Sequence, residues 1–108
     1  MRVHQFETIQ DVISKRWGHD IDLIFTPKSG KLVSEWRMIF LYVTYCLKIP
    51  NIITARYFDT KGYSIHHSTI SNSVARLKSR LDTDEILSNE IALIIAECLL
   101  RMKYGKRR

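Results

Sequence analysis

Apolar residues recur along this chain at helical spacing, and that recurrence points to an all-α fold. Ile9, Val12, Ile13 and Trp17 stand at i, i+3, i+4 and i+8. Trp36, Ile39, Phe40, Val43 and Leu47 repeat the pattern, and Ile70, Val74, Leu77 and Leu81 fall at i, i+4, i+7 and i+11. Spacing of this kind gathers each set on one helix face, because about 3.6 residues complete a turn. Thr8, with Asp11 three residues on, predicts the start of a first helix, and Gly18 its stop. Asp20 then caps a short turn carrying Leu23, Ile24 and Phe25, closed by Pro27. Ser34 predicts the cap of a longer helix to about Lys48, which Pro50 breaks, and Asn51 caps a short helix through Phe58. Residues 59–63, Asp-Thr-Lys-Gly-Tyr, carry turn chemistry. A helix from about Ser64 or His66 to Leu81 follows, then a last one from about Asp84 to Tyr104. That last helix is almost wholly apolar between Ile91 and Leu100, so it must be buried on several sides or cover a partner.

The chain has 108 residues, 45% of them apolar, which suits one domain with a real core; no repeat, low-complexity stretch or linker divides it. The longest mainly apolar uncharged run, Met38 to Leu47, is ten residues, about half of what a membrane span needs. The opening MRVHQFETIQD has no apolar signal region, and Met1 favours a whole chain, so a cytoplasmic location is expected. Cys46 and Cys98 fall in apolar helical patterns. Their spacing leaves a bridge open, but free thiols are the expected state in a reducing compartment.

Charge is unevenly placed. Lys+Arg number 17 against 11 Asp+Glu, yet five of the basic residues (Arg101, Lys103, Lys106, Arg107 and Arg108) lie in the 101–108 tail. Within the near-neutral remainder no Asp or Glu occurs between Asp59 and Asp82, a window holding Lys61, Arg76, Lys78 and Arg80 with His66 and His67. Such a face tolerates a polyanion, and the tail attracts one; a solvated surface with a solubilising tail fits the same composition.

Little in the chain points to catalysis. None of His4, His19, His66 and His67 pairs with a Cys or carboxylate at metal-ligand spacing, and no nucleophile elbow, phosphate-cradling glycine loop or HExxH motif occurs. An enzyme, a metal site and a cofactor are not expected. Binding has the better case. The short 51–58 helix, the turn and the helix to Leu81 make a helix-turn-helix over about 51–81, whose second helix would enter a major groove. Its N-terminal His66, His67, Ser68 and Thr69 carry groups that donate to and accept from bases or phosphates, and Asn72 and Arg76 extend that face. The competing reading has Ser68 and Thr69 capping and packing the helix, with the histidines as exposed spacers.

These stretches resemble the C-terminal duplex-DNA-binding domain of the bacterial replication initiator DnaA, across about residues 8 to 100. TIQDVISKRWGHDIDLIF is similar to that family's opening helix and turn, KSGKLVSEWRMIFLYVTYCL to its basic loop and long helix, and ITARYF to the first helix of its helix-turn-helix. HSTISNSVARL resembles its recognition helix, which begins Asp-His-Thr-Thr-Val; His67, Ser68, Thr69 and Ile70 take the last four of those places and His66 the first. The resemblance implies a Trp-repressor-like helical fold and base or phosphate contacts from His67, Ser68 and Thr69. It also implies basic-loop and following-helix roles for Lys28, Lys31 and Arg37.

The departures are specific. The family's Gly-Gly-Arg-Asp before the signature His is missing, and the turn is about four residues longer. The loop holds lysines where the family favours arginine. They imply a preference other than the family's usual repeat. The family's ATPase domain has no counterpart in these residues, so no nucleotide is expected.

The leading expectation is a duplex-DNA-binding protein associated with the nucleoid. It would dock the 64–81 helix in a major groove and hold the backbone through Lys28, Lys31, Arg37 and Lys61. The alternative is a helical protein-interaction module, with a homodimer through the 84–104 helix. A third reading is nonspecific RNA or membrane-surface binding through the tail.

Overall fold

The computed structural model describes residues 3–18, 21–27 and 30–104, and among them every regular element is helical. Five α-helices, α1 (Val3–Trp17), α2 (Lys31–Cys46), α3 (Asn51–Thr60), α4 (His67–Leu81) and α5 (Glu85–Tyr104), are joined by short connections, with a 3₁₀ turn at Ile21–Phe25 between the first two. No described helix is long and apolar enough to cross a membrane. All-α is thus the observed class.

The apolar stripes meet in a common core. Ile9, Val12 and Ile13 of α1, Trp36, Ile39, Phe40 and Val43 of α2, and Ile70, Val74 and Leu77 of α4 are all buried, while Trp17, Leu47 and Leu81 pack at its edge. An aromatic cluster fills the middle. Phe6 stacks on Tyr57 with centroids 4.2 Å apart, and Phe25 and Phe40 meet the edges of Phe58 at 4.8 and 5.8 Å. The Tyr57 hydroxyl donates to the Gln10 side-chain carbonyl, so the phenol is satisfied where its ring is buried.

Three predicted helix starts move, and burial explains two of them. Helix α1 begins at Val3 rather than beside Thr8, because the earlier turn carries Phe6 into the aromatic cluster. Thr8 is inside the helix, and its hydroxyl donates to the His4 carbonyl at 2.9 Å. Helix α2 begins at Lys31, one turn ahead of Ser34, which brings Val33 against the core; the Ser34 N–H donates to Gly30 O at 2.9 Å. Asn51 is the first residue of α3 and not its cap. The Pro50 carbonyl accepts the first helical bonds, from Ile53 and Thr54, and the Asn51 amide instead donates to Ser71 Oγ at 2.9 Å, tying α3 to α4. Asp20, the expected cap of the 3₁₀ turn, lies outside the described residues.

The other boundaries follow from local chemistry. Lys48, at φ 63°, gives α2 a left-handed exit, and Ile49 N–H then reaches back to Thr44 O at 3.1 Å before Pro50 starts α3. Gly62, at φ 82°, supplies the left-handed residue of the turn after α3, a conformation costly for a residue with a Cβ. Asp84 caps α5 through Oδ1, which accepts from Leu87 N–H at 3.0 Å. Cys46 and Cys98 are both free thiols.

Helix α5 crosses α1, and ion pairs flank the crossing: Arg16 to Glu90 at 2.7 Å, and Arg101 to both Asp11 and Glu97. The Arg101 guanidinium, then Lys15, holds the Asp11 carboxyl below its ordinary 3.8; Arg16 holds Glu90 below 4.5. Folded pKa values below the unfolded ones mean that this stabilisation is complete above the ordinary carboxyl range and disappears as pH falls through the lowered values. Glu90→Gln should therefore show a shallower acid-side decline in thermal midpoint than the native chain, with a small difference at neutral pH because the pair is exposed. Parallel midpoint curves for the two proteins down to the acid limit would contradict this linkage.

Candidate nucleic-acid interface

Helix α4 divides cleanly along its length. Ile70, Val74 and Leu77 lock it onto α2 and α3, which leaves His67, Ser68, Ser71, Asn72, Ala75, Arg76 and Ser79 facing outward and exposed. Its N-terminus is capped by His66, whose Nδ1 accepts from Ser68 N–H at 3.2 Å and lies 2.7 Å from the Ser68 hydroxyl. The His66 and His67 rings stack with centroids 4.3 Å apart. His66 and Ser68 therefore do form a capping pair, while His67 and Thr69 stand exposed beside it.

A polar cleft of about 380 Å³ opens between the first turns of α2, the 61–66 connection and the start of α4. Ser34, Arg37, Tyr63, Thr69, Ser73 and Arg76 contribute to its walls, and among the described residues no carboxylate lines it. The neighbouring Glu35 is held by Arg80 at 2.8 Å, with Asp84 3.8 Å from the same guanidinium. A shallower depression adjoins the cleft along α4, sharing Thr69, Ser73 and Arg76 and adding Asn72. The cleft and this depression thus bring together Arg37, His66, Thr69, Asn72 and Arg76, drawn from α2, the connection and α4.

Arg37 is also a strut. Its Nε donates to Ile24 O at 2.9 Å and an Nη to Thr26 O at 3.1 Å, while the guanidinium carbon lies 4.5 Å from the Tyr63 ring centroid. One face of the cleft is thereby fastened to the 3₁₀ turn with the residue after it, and to the connection before α4. Lys61 lies elsewhere, with its ammonium over the Tyr57 and Phe25 rings at 5.5 and 5.8 Å from their centroids. Lys31 is exposed at the start of α2. Lys28 and the tail residues Lys106, Arg107 and Arg108 lie outside the described residues.

Sequence reasoning did not place Ser34, Tyr63 and Ser73 in the site. Ser73 stands four residues after Thr69 and three before Arg76, so its helical face was legible; Ser34 has the same relation to Arg37. Tyr63 depends on the path of the turn, and nothing local marks it.

Chemically, the site offers guanidinium, hydroxyl and amide donors converging on a concave, acid-free surface, which matches phosphodiester oxygens and base edges. Among the described residues no group of three or more His, Cys, Asp and Glu is placed to hold a metal. Burial pushes the Cys98 thiol up to about 12 and also raises Cys46, so neither is an activated thiolate at neutral pH. Compared with known proteins, the chain matches no family model, no curated protein and no solved structure.

Proposed function

We propose that this chain binds duplex DNA, with α3 and α4 acting as a helix-turn-helix in a Trp-repressor-like arrangement and α4 entering the major groove. The observation that carries the reading is the acid-free cleft with its continuation along α4, where Arg37, Thr69, Asn72, Ser73 and Arg76 converge. The resemblance of residues 8 to 100 to the DnaA C-terminal domain supports the same docking. In this reading Asn72 and Arg76 meet base edges, as an amide suits adenine and a guanidinium suits guanine. Arg37, His67, Ser68 and Thr69 contact the phosphate backbone, while Lys31, exposed at the start of α2, and Lys61, seated over the Tyr57 and Phe25 rings, add positive charge outside the cleft, with Lys28 expected from the resemblance as a further backbone contact. The protein then works at the nucleoid in replication or transcription control, without a nucleotide.

Fluorescence anisotropy of labelled random-sequence duplex across a salt series tests this. Neutralising about four phosphates gives a log-log salt slope of about −3.6. His67→Ala/Thr69→Ala should weaken binding at every salt concentration, whereas replacing Lys106, Arg107 and Arg108 with serine should weaken it only in part. Binding that ignores the α4 changes and vanishes with the tail charges would replace this reading with a nonspecific basic end. Absence of duplex binding at low salt would remove it altogether.

A further inference from the structure

Helix α5 buries one side only. Ile91, Ile94 and Cys98 point into the core, with Leu87, Ile95 and Met102 at its edge. The opposite side carries Ile86, Leu93, Leu99 and Leu100 at 81, 52, 54 and 56% exposure, with Ala92 and Ala96 exposed between them. At about 100° per residue these side chains and Asn89 occupy one continuous arc. With roughly 500 Å² of apolar surface, the stripe reaches the upper part of the range seen for the largest patch on a monomer. Two such stripes with their polar rims approach the ~1,000 Å² that a specific interface needs.

The charges at its ends identify the occupant. Glu85 lies in the acidic first turn and Lys103 in the basic last turn, both exposed. They stand 18 residues apart, about five full turns, and so on the same meridian in the middle of the exposed arc. We infer that two copies of this chain pair through the outer face of α5, antiparallel about a two-fold axis at the level of Ile94. That register sets Glu85 against the partner's Lys103 and Lys103 against the partner's Glu85. It also sets Ala92 against the partner's Ala96, which lets the helices approach closely at the crossing. A parallel pairing would instead oppose like charges at both ends and is disfavoured. The charges toward α1 are already paired inside each copy, Glu90 with Arg16 and Glu97 with Arg101, so closing the interface leaves none of them uncompensated.

Sedimentation equilibrium without DNA, over about 5 to 200 µM protein, decides the matter independently of duplex binding. The expected result is a concentration-dependent rise to twice the 12.7 kDa chain mass. Leu93→Glu/Leu100→Glu, whose sites are exposed in the single chain, should keep the native far-UV spectrum and raise the dissociation constant at least about 100-fold. Glu85→Lys and Lys103→Glu should each weaken association several-fold, and the two changes together should restore it. A single-chain mass at the highest concentration overturns the proposal. So does a dimer indifferent to Leu93→Glu/Leu100→Glu, and a charge-swapped protein no better than its single variants removes the antiparallel register.

Discussion

Replacing Phe58 with alanine should remove about 3–5 kcal/mol of stability, among the largest losses expected from a single truncation in this chain. Phe58 is fully buried and lies where three elements meet. Its ring meets Phe25 of the 3₁₀ turn, Phe40 of α2 and Tyr63 of the connection edge-on, with centroids 4.8, 5.8 and 5.9 Å away and ring planes inclined at 61, 68 and 67°. The truncation leaves a cavity bounded by rings that cannot collapse into it without leaving their own rotamers. Domains of this size hold about 5–15 kcal/mol in all, so the variant should be close to its unfolding threshold. Urea denaturation measures this directly. The midpoint should fall sharply at nearly unchanged slope, while Phe58→Leu, which refills much of the volume, should lose less than half as much. A loss below about 1 kcal/mol for Phe58→Ala would mean that the aromatic cluster is not the centre of the core.

The largest effect on binding is expected from Asn72→Ala/Arg76→Ala. Each side chain is exposed on the outer face of α4 and lies along the depression that continues the cleft. At about 1–3 kcal/mol for each base contact, the pair should raise the duplex dissociation constant by at least about 30-fold. Neither residue touches the core, so the thermal midpoint should stay near the native value. The loss should also be sequence-dependent, largest on duplexes chosen by selection and small on random ones, because phosphate contacts made elsewhere survive. Arg76→Lys sharpens the test. It keeps the charge and the salt slope but gives up the planar fork, so it should lose discrimination before affinity. Equal losses on selected and random duplexes would assign Arg76 to the backbone instead of the bases.

The parts of this architecture that were legible in the sequence are those governed by periodicity. The α4 stripe of Ile70, Val74 and Leu77 follows from spacing, as does the start of α5 near Asp84, although the cap that Asp84 supplies there was not read from the sequence. The starts of α1 and α2 were not legible from their candidate caps, since the burial of Phe6 and Val33 outweighs the roughly 1 kcal/mol that a cap contributes. Asn51 looked like a cap but found a partner twenty residues away in Ser71. The outer face of α5 was legible as an excess of apolar residues, although which of them stay exposed depends on the angle at which the helix crosses α1. In the candidate site, the α4 residues could be read from the face they share. The cleft could not, because Ser34, Arg37 and Tyr63 come from separate segments that only the tertiary packing joins. Lys61 shows the same limit, as its charge was visible but its seat above two aromatic rings was not.

The strut made by Arg37 has a consequence for how this surface can vary. Its two fastenings are to main-chain carbonyls, those of Ile24 and Thr26, and not to side chains. A carbonyl is present whatever residue carries it, so the outer end of this segment, Thr26 and Pro27, can drift in composition, provided its path is kept, without releasing the cleft wall, whereas Ile24 and Phe25 are fixed by the core. Variation there can retune what lies beside a bound ligand while the geometry of the wall persists. The two side chains on which the arrangement depends, Arg37 and the Tyr63 ring beneath it, are the positions where drift is costly. The fold thus separates an adjustable border from a fixed frame, a division that lets one scaffold acquire new targets by small steps.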